Sequence, residues 1–224
     1  MFFSPLSFIF MALFFLLAFI IMALQINVVA TVFEKIGIPH QYVFTALWAS
    51  LIGGSINLPL KRFPQEDMTG ERRVQFFGFK YVIPAPKSRE TILAINVGGA
   101  IIPVLISAYL LFKTGLVWQA FLATLCLTLV THRLARPIKG VGIALPFFLS
   151  PFLAALVALI LAPDQAPVIA YIAGTLGTLI GADLLNLKKI QNLGAPVVSI
   201  GGAGTFDGIF LSGILAVVLS TLLA

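Results

Sequence analysis

Histidine, cysteine and charge are all scarce in this sequence of 224 residues. It holds two histidines, one cysteine and only 10% charged residues. His40, Cys126 and His132 form no set with zinc-ligand spacing. A single cysteine excludes an intrachain disulfide, and Cys126, inside LATLCLTLV, reads as a small apolar residue. P-loop, HExxH and dinucleotide fingerprints are missing, so neither cofactor nor metal is expected. Neither histidine sits in the closing spans, which disfavours a rhomboid-type serine protease. The last span has no lysine, which disfavours a retinal Schiff base. The N-terminal stretch MFFSPLSFIFMALFFLLAFIIMAL lacks a basic n-region and a clear small-residue cleavage site, so it is expected to be a retained helix.

What is abundant is apolar. Hydrophobic residues make up 60% of the chain, and the mean hydropathy is +1.08. Soluble domains carry roughly a quarter charged residues, so this composition belongs in a bilayer. About 20 mostly apolar residues cross a hydrocarbon core of about 30 Å. The pattern predicts spans near 6–33, 41–58, 91–112, 116–132, 141–162, 166–187 and 204–223. The expected architecture is an all-α polytopic transmembrane bundle of about seven spans, a single transmembrane domain over 1–224. Residues 59–90 form a cytoplasmic loop between spans two and three, in which VQFFGFKYVIP alternates around Gly78 as a short hairpin would.

The formal charge of +6 does not require nucleic acid. Basic residues collect in the cytoplasmic loops of membrane proteins. Lys61, Arg62, Arg72, Arg73, Lys80, Lys87, Arg89, Arg133, Arg136, Lys139, Lys188 and Lys189 fall in one set of loops. Only Lys35 and Lys113 fall in the alternate set. This asymmetry puts the N-terminus in the cytoplasm and the C-terminus outside. The expected location is the cell (plasma) membrane, multi-pass, with the lipid bilayer as the first partner.

Of the eight acidic residues, six lie in predicted loops or span ends. Asp183 and Asp207 alone lie inside apolar segments. A carboxylate at membrane depth is costly unless paired, neutralised or wet, so each is a functional candidate. Asp183 precedes Lys188 by five residues, about 7 Å inside the cytoplasmic interface. Asp207 starts the returning span on the same side. Two close carboxylates share a proton, so one activates a water while the other polarises a carbonyl. That is the chemistry of aspartyl hydrolysis, with Asp183 and Asp207 as the catalytic pair.

The pair resembles that of the GxGD intramembrane aspartyl proteases, the group of presenilin and signal peptide peptidase. Gly202-Ala203-Gly204 followed by Asp207 is similar to GxGD, with Thr205 and Phe206 intervening. The resemblance implies an intramembrane aspartyl endopeptidase whose substrate is a transmembrane peptide. Over its whole length the chain resembles an uncharacterised prokaryotic polytopic family, with GADLLNL and GGAGTFDGIF as signatures.

Around the acids, Gly201, Gly202 and Gly204 are expected to shape a re-entrant, substrate-binding turn. Asn96, beside Gly98, Gly99 and Pro103, marks a polar, breakable third span, either a pocket wall or a packed kink. Asn186 falls near Asp183 by helical phase. The Val197–Ile200 run reads either as an extended edge for an unwound substrate or as a simple re-entrant loop. Bland readings stand beside these. Asp207 suits the first turn of a helix, Asp183 a hydrogen-bonded structural role, and Gly174, Gly177 and Gly181 close helix packing. Two other functions also fit: a proton- or Na⁺-coupled transporter using the same acids, and a non-catalytic membrane scaffold.

Overall fold

A computed structural model describes residues 31–64, 72–76, 79–83, 90–138, 142–146, 148–190, 197–202 and 208–224. The first expected span therefore lies almost wholly outside the described residues. The chain is mostly helical, and three helices are long and apolar enough, by length and composition, to cross a membrane.

Those three are α2 (Val97–Thr114), α3 (Val117–Leu134) and α5 (Pro163–Lys189). They accompany α1 (His40–Gly54), α4 (Leu149–Leu161) and α6 (Gly208–Leu223). α5 is the centre of the bundle: 72% of its apolar window is buried, against 33% for α2 and 28% for α3. Pro163 and Pro167 open α5 where proline costs no helical hydrogen bond. Around α5 the core gathers Phe33, Leu110, Leu127, Ile169, Tyr171, Ile172 and Val217.

The glycine stripe of α5 explains how tightly its neighbours approach. A Cβ on Gly177 would overlap Leu127 of α3, and one on Gly181 would overlap Thr131. On Gly174 it would meet Ala216 of α6 at 3.2 Å. The stripe thus serves two helix contacts at once.

Sheets extend the picture beyond an all-α bundle. β1 (Asn57–Pro64), β4 (Glu90–Asn96) and β7 (Val197–Ile200) form a three-stranded sheet in the order β1-β4-β7. β1 runs antiparallel to β4, from Asn57 opposite Asn96 to Pro64 opposite Glu90. β4 and β7 are parallel, from Ile92 with Val197 to Ile95 with Ile200. A parallel pair needs a long crossover, and here the helices between Val97 and Lys189 supply it. β2 (Arg72–Phe76) pairs antiparallel with β3 (Phe79–Ile83), and β5 (Arg136–Ile138) with β6 (Gly142–Ala144).

Three expected spans are accordingly shorter than hydropathy suggests. Residues 57 and 58 belong to β1, 91–96 to β4, and 142–144 to β6. Thr91-Ile92-Leu93-Ala94-Ile95 is apolar and β-branched enough for either state. Pairing on both sides of β4 decides for strand. Helix begins only where the Asn96 side chain accepts the Gly99 N–H at 2.7 Å.

The molecule therefore has two ends. α2 runs about 27 Å over 18 residues, from the sheet at Asn96 to Lys113. There Lys113 Nζ donates to the Gly37 carbonyl. The sheet end also carries the C-terminal ends of α3 and α5, joined where Asn186 Nδ2 meets His132 Nδ1 at 3.3 Å.

Candidate functional site

Asp183 closes a π turn, Leu179–Asp183, that follows an earlier one at Ala173–Gly177 in α5. π turns inside α-helices often mark functional positions. The Asp183 side chain is half-buried, and its Oδ2 accepts the Gly201 N–H at 2.8 Å. This bond ties the C-terminal part of α5 to the end of β7.

The turn at Gly201 needs glycine. Gly201 and Gly202 have φ of +84° and +86°, a region that side chains disfavour. Space makes the same demand, since a Cβ on Gly201 would lie 2.6 Å from Ala100 Cβ and 2.7 Å from Ala100 N. Gly202 N then donates to the Ser199 carbonyl at 3.2 Å, closing the bend.

Asp207 and Gly204 lie outside the described residues, but the chain on both sides of Asp207 does not. On the upstream side Gly201 is bonded to Asp183. On the downstream side Ile209, in the first turn of α6, packs in one cluster with Ala100, Leu179 and Ile200. Leu179 lies one helical turn before Asp183, and Ile200 directly precedes Gly201. Both flanks of Asp207 therefore adjoin the surroundings of Asp183.

Asn96 is buried and fully used. Its Nδ2 donates to the Gly54 carbonyl at 2.7 Å and to Asn57 Oδ1 at 3.1 Å. Its Oδ1 caps α2 at Gly99, whose neighbour Ala100 backs Gly201. Asn96 thus shapes the wall behind the turn. Asn57 Oδ1 also accepts from Ser199 Oγ at 2.6 Å, so Asn57, Asn96 and Ser199 stitch the three strands together. Sequence reasoning gave Asn57 no role. Its partners lie 39 and 142 positions away, and no local pattern signals them.

Asn186 is buried, and its Nδ2 donates to the Gly181 and Ala182 carbonyls at 3.1 and 3.0 Å and lies 3.3 Å from His132 Nδ1 of α3. Lys189 Nζ holds its Oδ1 at 2.9 Å. These bonds tie the C-terminal end of α5 to α3.

Among the described residues no three His, Cys, Asp or Glu side chains converge as metal ligands. The assembled groups are one carboxylate, a glycine turn with its N–H groups, and a strand edge beside them.

A family model matches residues 51–219, most of the chain, and its description is a protein of unknown function, DUF1614. The chain belongs to the DUF1614 family. The DUF1614 segment contains the sheet, the Asp183–Gly201 contact and Asp207, and leaves out the first fifty residues. No curated protein and no solved structure matches the chain.

Proposed function

We propose that this DUF1614 protein is a multi-pass membrane aspartyl endopeptidase that cleaves transmembrane peptides with Asp183 and Asp207. The observation that carries the reading is the Asp183–Gly201 hydrogen bond together with the packing of Ile209 on Leu179 and Ile200. These contacts place the described residues that flank position 207 in the chain, Gly201 and Ile209, in the surroundings of Asp183. One carboxylate then takes a proton from water, and its protonated partner donates to the scissile carbonyl. The imperfect GxGD pattern at Gly202-Ala203-Gly204 and Asp207 fits the same chemistry.

The strand edge supplies a docking element. β7 pairs with β4 on one side, and no described strand covers its other side. An unwound substrate segment adds there through main-chain hydrogen bonds, next to Gly201 and Asp183. The seven-span layout in the plasma membrane, N-terminus cytoplasmic and C-terminus outside, belongs to this reading. It is supported by exposed Arg133, Arg136, Lys188 and Lys189 near the sheet end, against Lys35 and Lys113 at the other.

The test separates catalysis from structure. An asparagine at 183 keeps a carbonyl oxygen that accepts the Gly201 N–H, but it has no carboxylate. Asp183→Asn and Asp207→Asn should each abolish cleavage of a helical reporter in proteoliposomes while the fold survives. Full cleavage by either variant sinks the proposal. Cation-dependent uptake lost in the same variants would favour the transporter instead.

A further inference from the structure

Charge that the two-aspartate reading does not use gathers where α3 and α5 end together. Gly177 backs on Leu127 and Gly181 on Thr131, so the two helices run parallel and carry their C-termini to the same level. Both are long and apolar enough to cross a membrane, and in a bilayer that level is its surface. His132 and Arg133 come from α3, Lys188 and Lys189 from α5. His132 is half-buried, and the other three are exposed. Arg133 and Lys188 make no ion pair among the described residues. The nearest acid in the chain, Asp183, already accepts the Gly201 N–H.

Buried Asn186 makes this more than a run of charges. Its Nδ2 donates to the Gly181 and Ala182 carbonyls, which fixes how the amide is turned. The same nitrogen lies 3.3 Å from His132 Nδ1, while Oδ1 accepts from Lys189 Nζ at 2.9 Å. An amide nitrogen only donates, so His132 Nδ1 accepts and the ring carries its hydrogen on Nε2. Lys189 keeps two further hydrogens for another partner. One side chain thus sets a donor on each helix. Apolar surface lies just below. Leu122, Leu125, Leu129 and Arg133 follow at three- and four-residue steps along the unbroken helix α3, one exposed stripe that ends in the arginine. On α5 the exposed Leu184 and Leu185 precede Lys188 and Lys189 by four residues.

We propose that the joined ends of α3 and α5 bind an anionic phospholipid, its phosphate held by His132, Arg133, Lys188 and Lys189 and its acyl chains lying on the leucines below. Charge complementarity selects this occupant. A phosphodiester accepts hydrogen bonds from guanidinium, ammonium and imidazole N–H together, and basic pockets between membrane helices seat such headgroups. A zwitterionic lipid carries the same phosphate but brings its own cation, which these side chains repel. A soluble phosphate has no chains and leaves the leucine surface unused. The bound lipid would clamp the ends of two helices that Asn186 already joins.

Native mass spectrometry tests this on the intact protein, delipidated in detergent and titrated with phosphatidylglycerol, phosphatidylcholine or inorganic phosphate. Phosphatidylglycerol should bind in preference to phosphatidylcholine. Arg133→Gln and Lys189→Gln should each weaken phosphatidylglycerol binding about fivefold, the effect of one basic side chain on an anionic headgroup, and leave phosphatidylcholine unchanged. Both positions are exposed, so the fold should survive, and Lys189→Arg should retain binding. Lys61→Gln removes the same charge from exposed β1 at the sheet end and should have no effect. Equal binding of the two lipids overturns the proposal. So does a Lys61→Gln loss as large as that of Lys189→Gln, since a diffuse field and not a site then attracts the lipid. Displacement of phosphatidylglycerol by an equal concentration of inorganic phosphate overturns it too, because the acyl chains then contribute nothing. No cleavage is measured, so the result stands apart from the fate of the aspartate pair.

Discussion

Asp183 illustrates how one hydrogen bond supports two different accounts. Its Oδ2 holds the Gly201 N–H at 2.8 Å, which by itself suits a carboxylate that ties down a turn. Substitution separates that role from chemistry. Asp183→Ala leaves the Gly201 N–H without its acceptor, a loss of about 1–3 kcal/mol. Asp183→Asn retains an acceptor of the same shape. Thermal unfolding in detergent should therefore rank wild type and Asp183→Asn close together, with Asp183→Ala well below. If asparagine destabilises as much as alanine, the bond depends on the charge, and the residue is structural first. Gly201 was legible as a turn glycine from its sequence neighbours. Its contact with Ala100 was not, because the two residues are distant in the chain.

At the scale of elements, the glycines of α5 make a sharper statement than composition does. A Cβ on Gly181 would run into Thr131 Oγ1 and the Thr128 carbonyl of α3, and neither backbone nor a packed hydroxyl gives way easily. Gly181→Ala should destabilise the protein by about 1–3 kcal/mol through overpacking. Gly54, at the end of α1, has nothing within 4 Å of the equivalent position. Gly54→Ala should stay within about 0.5 kcal/mol of wild type. The two variants compared by thermal unfolding check the α3–α5 contact, and equal effects would contradict it. The stripe itself is readable in sequence. Which helix it meets is not, since both α3 and α6 use parts of it. The strands show the reverse difficulty. Ile92 to Ile95 satisfy the hydropathy of a span, and only the partners Asn57–Pro64 and Val197–Ile200 reveal that they are sheet.

For the whole molecule, the question is which end faces the cytoplasm. Arg133, Arg136, Lys188 and Lys189 are exposed near the sheet end, and Lys113 is exposed at the far end of α2. Replacing Cys126 by alanine removes the only native thiol, so single cysteines then report sidedness. Lys189→Cys should react with a membrane-impermeant thiol reagent only from the cytoplasmic side, and Lys113→Cys only from the opposite side. Reaction of both from the same face would break the span count. A reversed pattern would invert the orientation and put the site in the outer leaflet.

Composition by itself pointed to helices long and apolar enough to cross a membrane. Apolar side chains dominate the chain, and helices satisfy their own backbone polar groups without needing distant partners. The sequence also singled out Asp183, because a carboxylate in an apolar segment stands out against its neighbours. Tertiary structure alone decided the three-stranded sheet at one end, the Asn57–Asn96–Ser199 stitching and the turning of Asn186 toward His132. It also decided the convergence of Ser150, Thr178 and Ser212. Each of these joins residues far apart in the chain. Such contacts are not written in local sequence, because they arise only when separate segments compete for the same hydrogen bonds and the same space.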